Sequence, residues 1–226
     1  MDITNNYIDV GKGDNLILLH GNGENLEYFK HQIDYFNKSY RIVAIDTRGH
    51  GETPKGDKKL SLEQFCDDLY RFMKFKGIEK ANILGFSDGG NIAILFAIRH
   101  PDMVDRLILN GANIFPGGMK TSVLLSTVWE YIGLCLGSVF SDRIRDKRDI
   151  VGLMIHEPKL KFADLHSIKA QTLVIAGKDD MIKESHTKLI AENIENSTLK
   201  IIEGDHFIAY RNHVLFNKTV EEFLKG

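Results

Sequence analysis

At 226 residues, 43 % of them hydrophobic, the chain can bury a sizeable core and falls within the range of single α/β domains. Its net charge of −2 excludes the basic surface through which proteins hold nucleic acid or anionic membranes nonspecifically. Cys66 and Cys135 show no C-x-x-C or metal-ligand spacing, and read as reduced thiols of a cytoplasmic protein. The start, Met1-Asp2-Ile3-Thr4-Asn5-Asn6, has neither the basic nor the apolar region of a signal peptide. The longest uninterrupted apolar run, Ile92–Ile98, is too short to span a bilayer. No H-E-x-x-H motif and no internal repeat occurs, and no metal or cofactor is expected.

Short β-rich runs alternate with helical patterns in chain order. Leu16–Leu19 reads as a strand, Asn25–Phe36 as a helix and Arg41–Ile45 as a strand. Ser61–Lys76 carries helical periodicity through Leu62, Phe65, Leu69, Phe72 and Met73. Asn82–Gly85 is the next strand and Gly89–Arg99 the next helix, followed by a strand at Arg106–Leu109. After a break come the strand Thr172–Ala176, the helix Lys183–Ile194, the strand Thr198–Ile202 and a closing helix, Tyr210–Leu224. Strands apolar on both faces, with helices between them, predict a mostly parallel sheet covered on both sides. The break, residues 113–165, holds Trp129, Tyr131, Leu134, Leu136 and Phe140, then a mixed-charge run from Asp142 to Asp149. It reads as a helical cap inserted in a single domain, 1–226. Its apolar residues, Trp129 among them, are expected to line a substrate pocket.

Active sites of such sheets gather at the carboxyl ends of the strands, and there the chemistry-bearing residues fall. Ile83-Leu84-Gly85-Phe86-Ser87-Asp88-Gly89 runs an apolar strand into a G-x-S-x-G turn. The glycines are small enough for a tight strand-to-helix turn that lifts the Ser87 hydroxyl above the sheet edge. A serine nucleophile needs a base and an orienting acid. Gly177-Lys178-Asp179-Asp180 ends one later strand and Gly204-Asp205-His206 the next. His206 is therefore the candidate base and Asp180 the candidate acid, with Asp179 and Asp205 as fallbacks. His186 and His213 lie within helical patterns and point less naturally at the strand ends. The glycines of His20-Gly21-Asn22-Gly23 allow close backbone approach, which suits an oxyanion hole made of the Asn22 and Asp88 N–H groups; His20 itself reads as structural. Gly21-x-Gly23, with Asp46 ending the following strand, also imitates a dinucleotide-binding fingerprint. Leu26 occupies the third glycine position, however, and that reading leaves Ser87 and His206 unused. Asp46-Thr47-Arg48-Gly49-His50-Gly51 reads as a hydrogen-bonded structural turn.

Taken in order, these motifs resemble the α/β-hydrolase-fold serine hydrolases from about Asp9 to the carboxyl terminus. The resemblance implies Ser87 as nucleophile, Asp180 as acid, His206 as base, and oxyanion donors from Asn22 and Asp88. One departure is the leading sheet edge, where Tyr7–Val10 is the sole strand candidate and the usual antiparallel strands are trimmed. Gly85-Phe86-Ser87-Asp88-Gly89-Gly90 and Ile108-Leu109-Asn110-Gly111-Ala112-Asn113 are most similar to the valacyclovir hydrolases (biphenyl hydrolase-like proteins), in which the corresponding aspartate recognises a substrate ammonium. A carboxylate about 6 Å from a developing oxyanion would repel it by roughly 3 kcal/mol at an effective dielectric near 20. A bound cation offsets that repulsion, whereas the alternative role for Asp88 is to favour the helix amino terminus. The resulting expectation is a carboxylesterase-like enzyme, monomer or homodimer, with a small-molecule ester as its partner. Where Asp88 binds a cation, a preference for α-amino acyl groups is expected as well. Thioester, lactone and carbon–carbon hydrolysis, and a non-catalytic small-molecule receptor, are the alternatives.

Overall fold

A computed structural model describes residues 3–226. Seven strands form one sheet among the described residues: β1 (Tyr7–Val10), β2 (Asn15–Leu19), β3 (Arg41–Ile45), β4 (Ala81–Phe86), β5 (Val104–Asn110), β6 (Gln171–Gly177) and β7 (Ser197–Ile202), in the order β1-β3-β2-β4-β5-β6-β7. β1 is antiparallel to β3 and every other pairing is parallel, so the leading edge is a single four-residue antiparallel strand. The connections form α1 (Lys30–Phe36), α2 (Leu62–Phe75), α3 (Asp88–Arg99), α4 (Thr121–Gly137), α5 (Asp142–His156), α6 (Glu184–Glu192), α7 (Ile208–Arg211) and α8 (His213–Lys225).

Strand alternation divides the core in two. Ile17, Leu19, Val43 and Ile45 face one layer with apolar residues of α2, α3 and α6. Leu16, Leu18, Ile42 and Ala44 face the other, with α1, α7 and α8. β4 is buried at every residue, the signature of a central parallel strand with helices on both faces. Ser87, the residue directly after β4, therefore stands at the middle of the sheet edge.

Two predicted helices are interrupted. The segment 25–36 opens as a 3-10 turn, Leu26–Phe29, before α1. Asn25 caps that turn by accepting from Glu27 N at 2.9 Å, and Leu26 N is drawn instead to the Asp46 carboxylate at 2.8 Å. The closing helix divides at Asn212, whose backbone (φ −117°, ψ 42°) leaves helical space. Its side chain donates to Glu203 O at 2.9 Å.

The turn after β3 is a structural knot. Asp46 accepts from Leu26 N (2.8 Å), Glu52 N (2.9 Å) and Asn6 Nδ2 (2.8 Å), so its carboxylate is not free to hold a ribose. Gly51, at φ +53°, lies where a Cβ would stand 2.1 Å from Asp46 Oδ2. Beside it the fully buried Arg48 grips Asp68 of α2 through Nε (2.7 Å) and Nη2 (2.9 Å).

The cap consists of α4 packed on α5. Leu160 N to Ile114 O (3.0 Å) ties the two ends of the insert together, and Asn22 Nδ2 to Ile150 O (2.8 Å) and Lys55 to Asp146 and Asp149 fasten α5 to the loops after β2 and β3. No helix among the described residues is long and apolar enough to cross a membrane. Because removing one member of a buried ion pair strands the other charge, Asp68→Ala should destabilise the fold by about 3 kcal/mol or more in urea unfolding. A change below about 1 kcal/mol would show that Arg48 finds other partners.

Candidate active site

Ser87 sits between β4 and α3 with φ 52° and ψ −119°, the one non-glycine residue at positive φ among those described. Such a backbone costs of order 1–3 kcal/mol and persists only where its surroundings impose it, and here they do. Ser87 N donates to Asn110 O of β5 at 2.8 Å. A Cβ on Gly85 would lie 2.3 Å from Gly89 O, and one on Gly89 would lie 2.0 Å from Leu19 O. Only this spacing of glycines lets α3 turn back so closely over β2 and β4. The turn leaves Ser87 part-exposed above the sheet and opens α3 with Asp88, where first-turn N–H groups lack helical acceptors.

The loops after β5, β6 and β7 meet beside it. His206 and Asp180 are both buried, and His206 Nδ1 stands 2.7 Å from Asp180 Oδ1. An ionised carboxylate only accepts, so Nδ1 carries the hydrogen and Nε2 is left as acceptor. Ile182 N donates to the same Oδ1 at 2.8 Å, whereas Asp180 Oδ2 is buried without a hydrogen-bond partner. Space for the imidazole comes from Gly111 (φ +61°), where a Cβ would stand 2.8 Å from His206 Cε1. The ring also packs against Phe86, with centroids 4.8 Å apart. Asp179 is exposed. Asp205 is engaged by Arg211 and by Phe207 N, so neither fallback acid bonds to His206.

Gly21 brings the loop after β2 against Ser87: a Cβ there would be 3.2 Å from Ser87 Cβ and 3.0 Å from the Phe86 ring. The next residue, Asn22, uses its side chain as a bridge, donating to Asp88 Oδ2 (2.9 Å) and to Ile150 O on α5 (2.8 Å). Asp88 Oδ1 accepts from Asn91 Nδ2 at 3.1 Å. Asn91 in turn is paired with Asn113, donating to its Oδ1 (3.1 Å) and accepting from its backbone N (2.9 Å). Burial pushes the Asp88 carboxyl above the usual range, the two amides oppose that shift, and the charge of Glu157 reinforces it. Burial likewise raises Glu24, while the nearby His206 lowers it.

The other histidines have structural duties. His20 accepts from Thr47 N at 3.0 Å, and burial holds its pKa down to about 4. His186 accepts from Ile114 N at 3.1 Å and is held to about 4 for the same reason. His213 stacks on His31, centroids 3.9 Å apart. Trp129, expected to line the pocket, is instead 71 % exposed, because α4 buries only Thr127 and turns its broad apolar surface outward. Two cavities border the insert, neither of them lined by Ser87, Asp180 or His206. The larger, about 830 Å³, is bounded by residues 55–60, Tyr131, Arg148 and His156; the smaller, about 250 Å³, by Leu62, Asn91 and Leu95. Glu157 lines both. Sequence reasoning missed Asn91, Asn113 and Glu157. Asn91 had a local signal, standing one helical turn after Asp88; the other two are joined to the site only by folding. No group of three His, Cys, Asp or Glu residues among those described is placed to hold a metal.

The profile of the family described as alpha/beta hydrolase fold matches residues 14–144. The chain is 27 % identical to the 3-oxoadipate enol-lactonase 2 of Acinetobacter baylyi, over 99 % of this chain and 94 % of that protein. It is 28 % identical to the human serine hydrolase BPHL, over 97 % and 82 % respectively. Among solved structures, the meta-cleavage product hydrolase CumD of Pseudomonas fluorescens IP01 superposes with a TM-score of 0.77 at 25 % identity, covering 99 % of this chain and 94 % of that one.

His20 and His186 are each held near 4 in the fold against an ordinary value of 6.5. The unfolded chain therefore binds their protons first as pH falls, and the stability they contribute, complete above about 6.5, is lost on the way to about 4. To urea unfolding these two imidazoles should contribute a slope approaching two protons across that window, each worth about 1.4 kcal/mol per pH unit, with the buried His50 shifted in the same sense. A flat profile would place both imidazoles in contact with water.

Proposed function

The chain belongs to the α/β-hydrolase-fold family and is a hydrolase; on that premise we propose that it cleaves carboxylic esters, open or cyclic, through a serine acyl-enzyme. The observation that carries this reading is the His206–Asp180 contact of 2.7 Å, set among the same strand ends as a serine in a left-handed turn. In the proposed mechanism His206 Nε2 takes the Ser87 proton as the hydroxyl oxygen attacks the ester carbonyl. The Asn22 and Asp88 backbone N–H groups receive the charge that develops on the carbonyl oxygen. His206 then delivers the proton to the leaving alcohol, which in a lactone remains tethered to the acyl group. Water repeats the sequence on the acyl-enzyme. Asp180 holds the imidazole tautomer and stabilises the imidazolium, to which its unpaired Oδ2 contributes further negative potential.

The similarity to proteins named enol-lactonase and serine hydrolase supports ester chemistry, and that to a meta-cleavage product hydrolase keeps carbon–carbon hydrolysis as a competing reaction of the same site. A preference for α-amino acyl groups is favoured by one specific observation. Asp88 is buried between two neutral amides, no Lys or Arg pairs with it among the described residues, and the Glu157 charge lies near enough to be felt. A substrate ammonium would supply the missing positive charge.

Ser87→Ala should reduce kcat/KM for a small ester at least about a thousand-fold with the fold intact, and Asp180→Asn should be far more damaging than Asp179→Asn. Retained activity in Ser87→Ala would refute the nucleophile. An α-amino acyl ester should exceed its des-amino analogue by tenfold or more in kcat/KM, about 1.4 kcal/mol, and the advantage should collapse in Asp88→Asn. Equal rates would leave Asp88 as a helix-end residue holding the Asn22 loop.

A further inference from the structure

We propose that the outward face of α4 is a self-docking surface, through which two copies of the chain pair antiparallel about a two-fold axis. Leu125, Trp129, Ile132 and Leu136 stand between 42 % and 72 % exposed, and Val139 and Phe140, at 76 % and 87 %, extend the patch past the helix end. At 3.6 residues per turn the four helical positions fall within an arc of about 60°, so they form one straight stripe. Exposed Ser122, Ser126 and Gly133 flank it, and such small side chains allow a second helix to approach closely. The 17 residues of α4 contain one charged residue, Glu130, and it is tied to Lys147 on α5 at 2.8 Å.

The spacing of the stripe identifies the occupant. The intervals 125–129, 129–132 and 132–136 read the same in both directions. An antiparallel copy therefore sets Leu125 against Leu136 and Trp129 against Ile132 on both sides of the axis, as an isologous interface requires. Val139 and Phe140 of each copy then lie over Ser122 and Thr121 of the other. Six neighbouring apolar side chains left this exposed form a patch of the kind that marks an interaction site. A lipid surface fits less well. A helix lying in the membrane interface carries Lys and Arg along its polar edges; α4 has none, and of the four α5 cations Arg145, Lys147 and Arg148 are paired with Asp142, Glu130 and Asp149, with Arg143 the remaining one.

The test is sedimentation velocity of the full chain at tens of micromolar, with and without neutral phosphatidylcholine vesicles. The expected result is twice the chain's mass, reduced to the monomer by Trp129→Glu or Leu136→Glu with an unchanged circular dichroism spectrum. Phe75→Glu, at a residue 69 % exposed on α2, should leave the dimer intact. In a Cys135→Ser background, a short bismaleimide should link Ile132→Cys pairs, about 5 Å apart along the axis, and not Leu125→Cys pairs, about 17 Å apart. A monomer throughout, a dimer indifferent to Trp129→Glu, equal linking at both positions, or vesicle binding by a monomer would each overturn the proposal.

Discussion

Everything at the candidate site hangs on one backbone constraint, the left-handed turn at Ser87. The hydrogen bond from Ser87 N to Asn110 O and the two glycines at the crossing of α3 over β2 and β4 determine where the helix starts. The start of α3 in turn decides where Asp88 points and which amides can reach it. Adding a methyl group at Gly89 would drive it into the Leu19 carbonyl, so the strain cannot be relieved locally without separating helix from sheet. The sheet is rigid enough to hold the strain because β4 is buried at every residue.

Polarity is distributed unevenly around that turn. On the His206 side the groups are few: one short contact to Asp180, an unpaired carboxylate oxygen and an aromatic wall from Phe86. On the Asp88 side there is a connected chain of amides, Asn22, Asn91 and Asn113, in which Asn91 uses both ends of its side chain. The first arrangement suits a group that must change its protonation during turnover. The second suits a carboxylate that must remain fixed while a substrate occupies the space beside it. Arg48 and Asp46, equally polar and equally buried, are saturated by neighbours and belong to the frame.

The sequence made the sheet legible because its strands are short apolar runs bounded by turn residues, and β2, β3 and β7 end at the residues read for them. Two helices were read as continuous because periodicity cannot report a side chain recruited elsewhere: Asn212 abandons its helix to bond Glu203 O, and Leu26 N is taken by Asp46. Ser87, Asp180 and His206 could be picked out because each closes or follows a strand of one sheet, where topology forces convergence. Glu157 and Asn113 had no such marker, since they reach the site from the two ends of the cap. Trp129 was misplaced for a related reason. A large apolar residue implies burial by something, and the sequence does not say whether that cover belongs to the same chain.

The amide of Asn22 is held at once by Asp88, at the start of α3, and by the Ile150 carbonyl of the cap. If α5 lifts, that donor loses one acceptor and the loop carrying Asn22 loses one of its anchors. Cap position and loop geometry therefore share a coupling free energy, and such coupling is reciprocal. A ligand that holds the cap down also favours the loop conformation that faces Ser87, and a ligand filling the space in front of Asn22 draws the cap shut by the same amount.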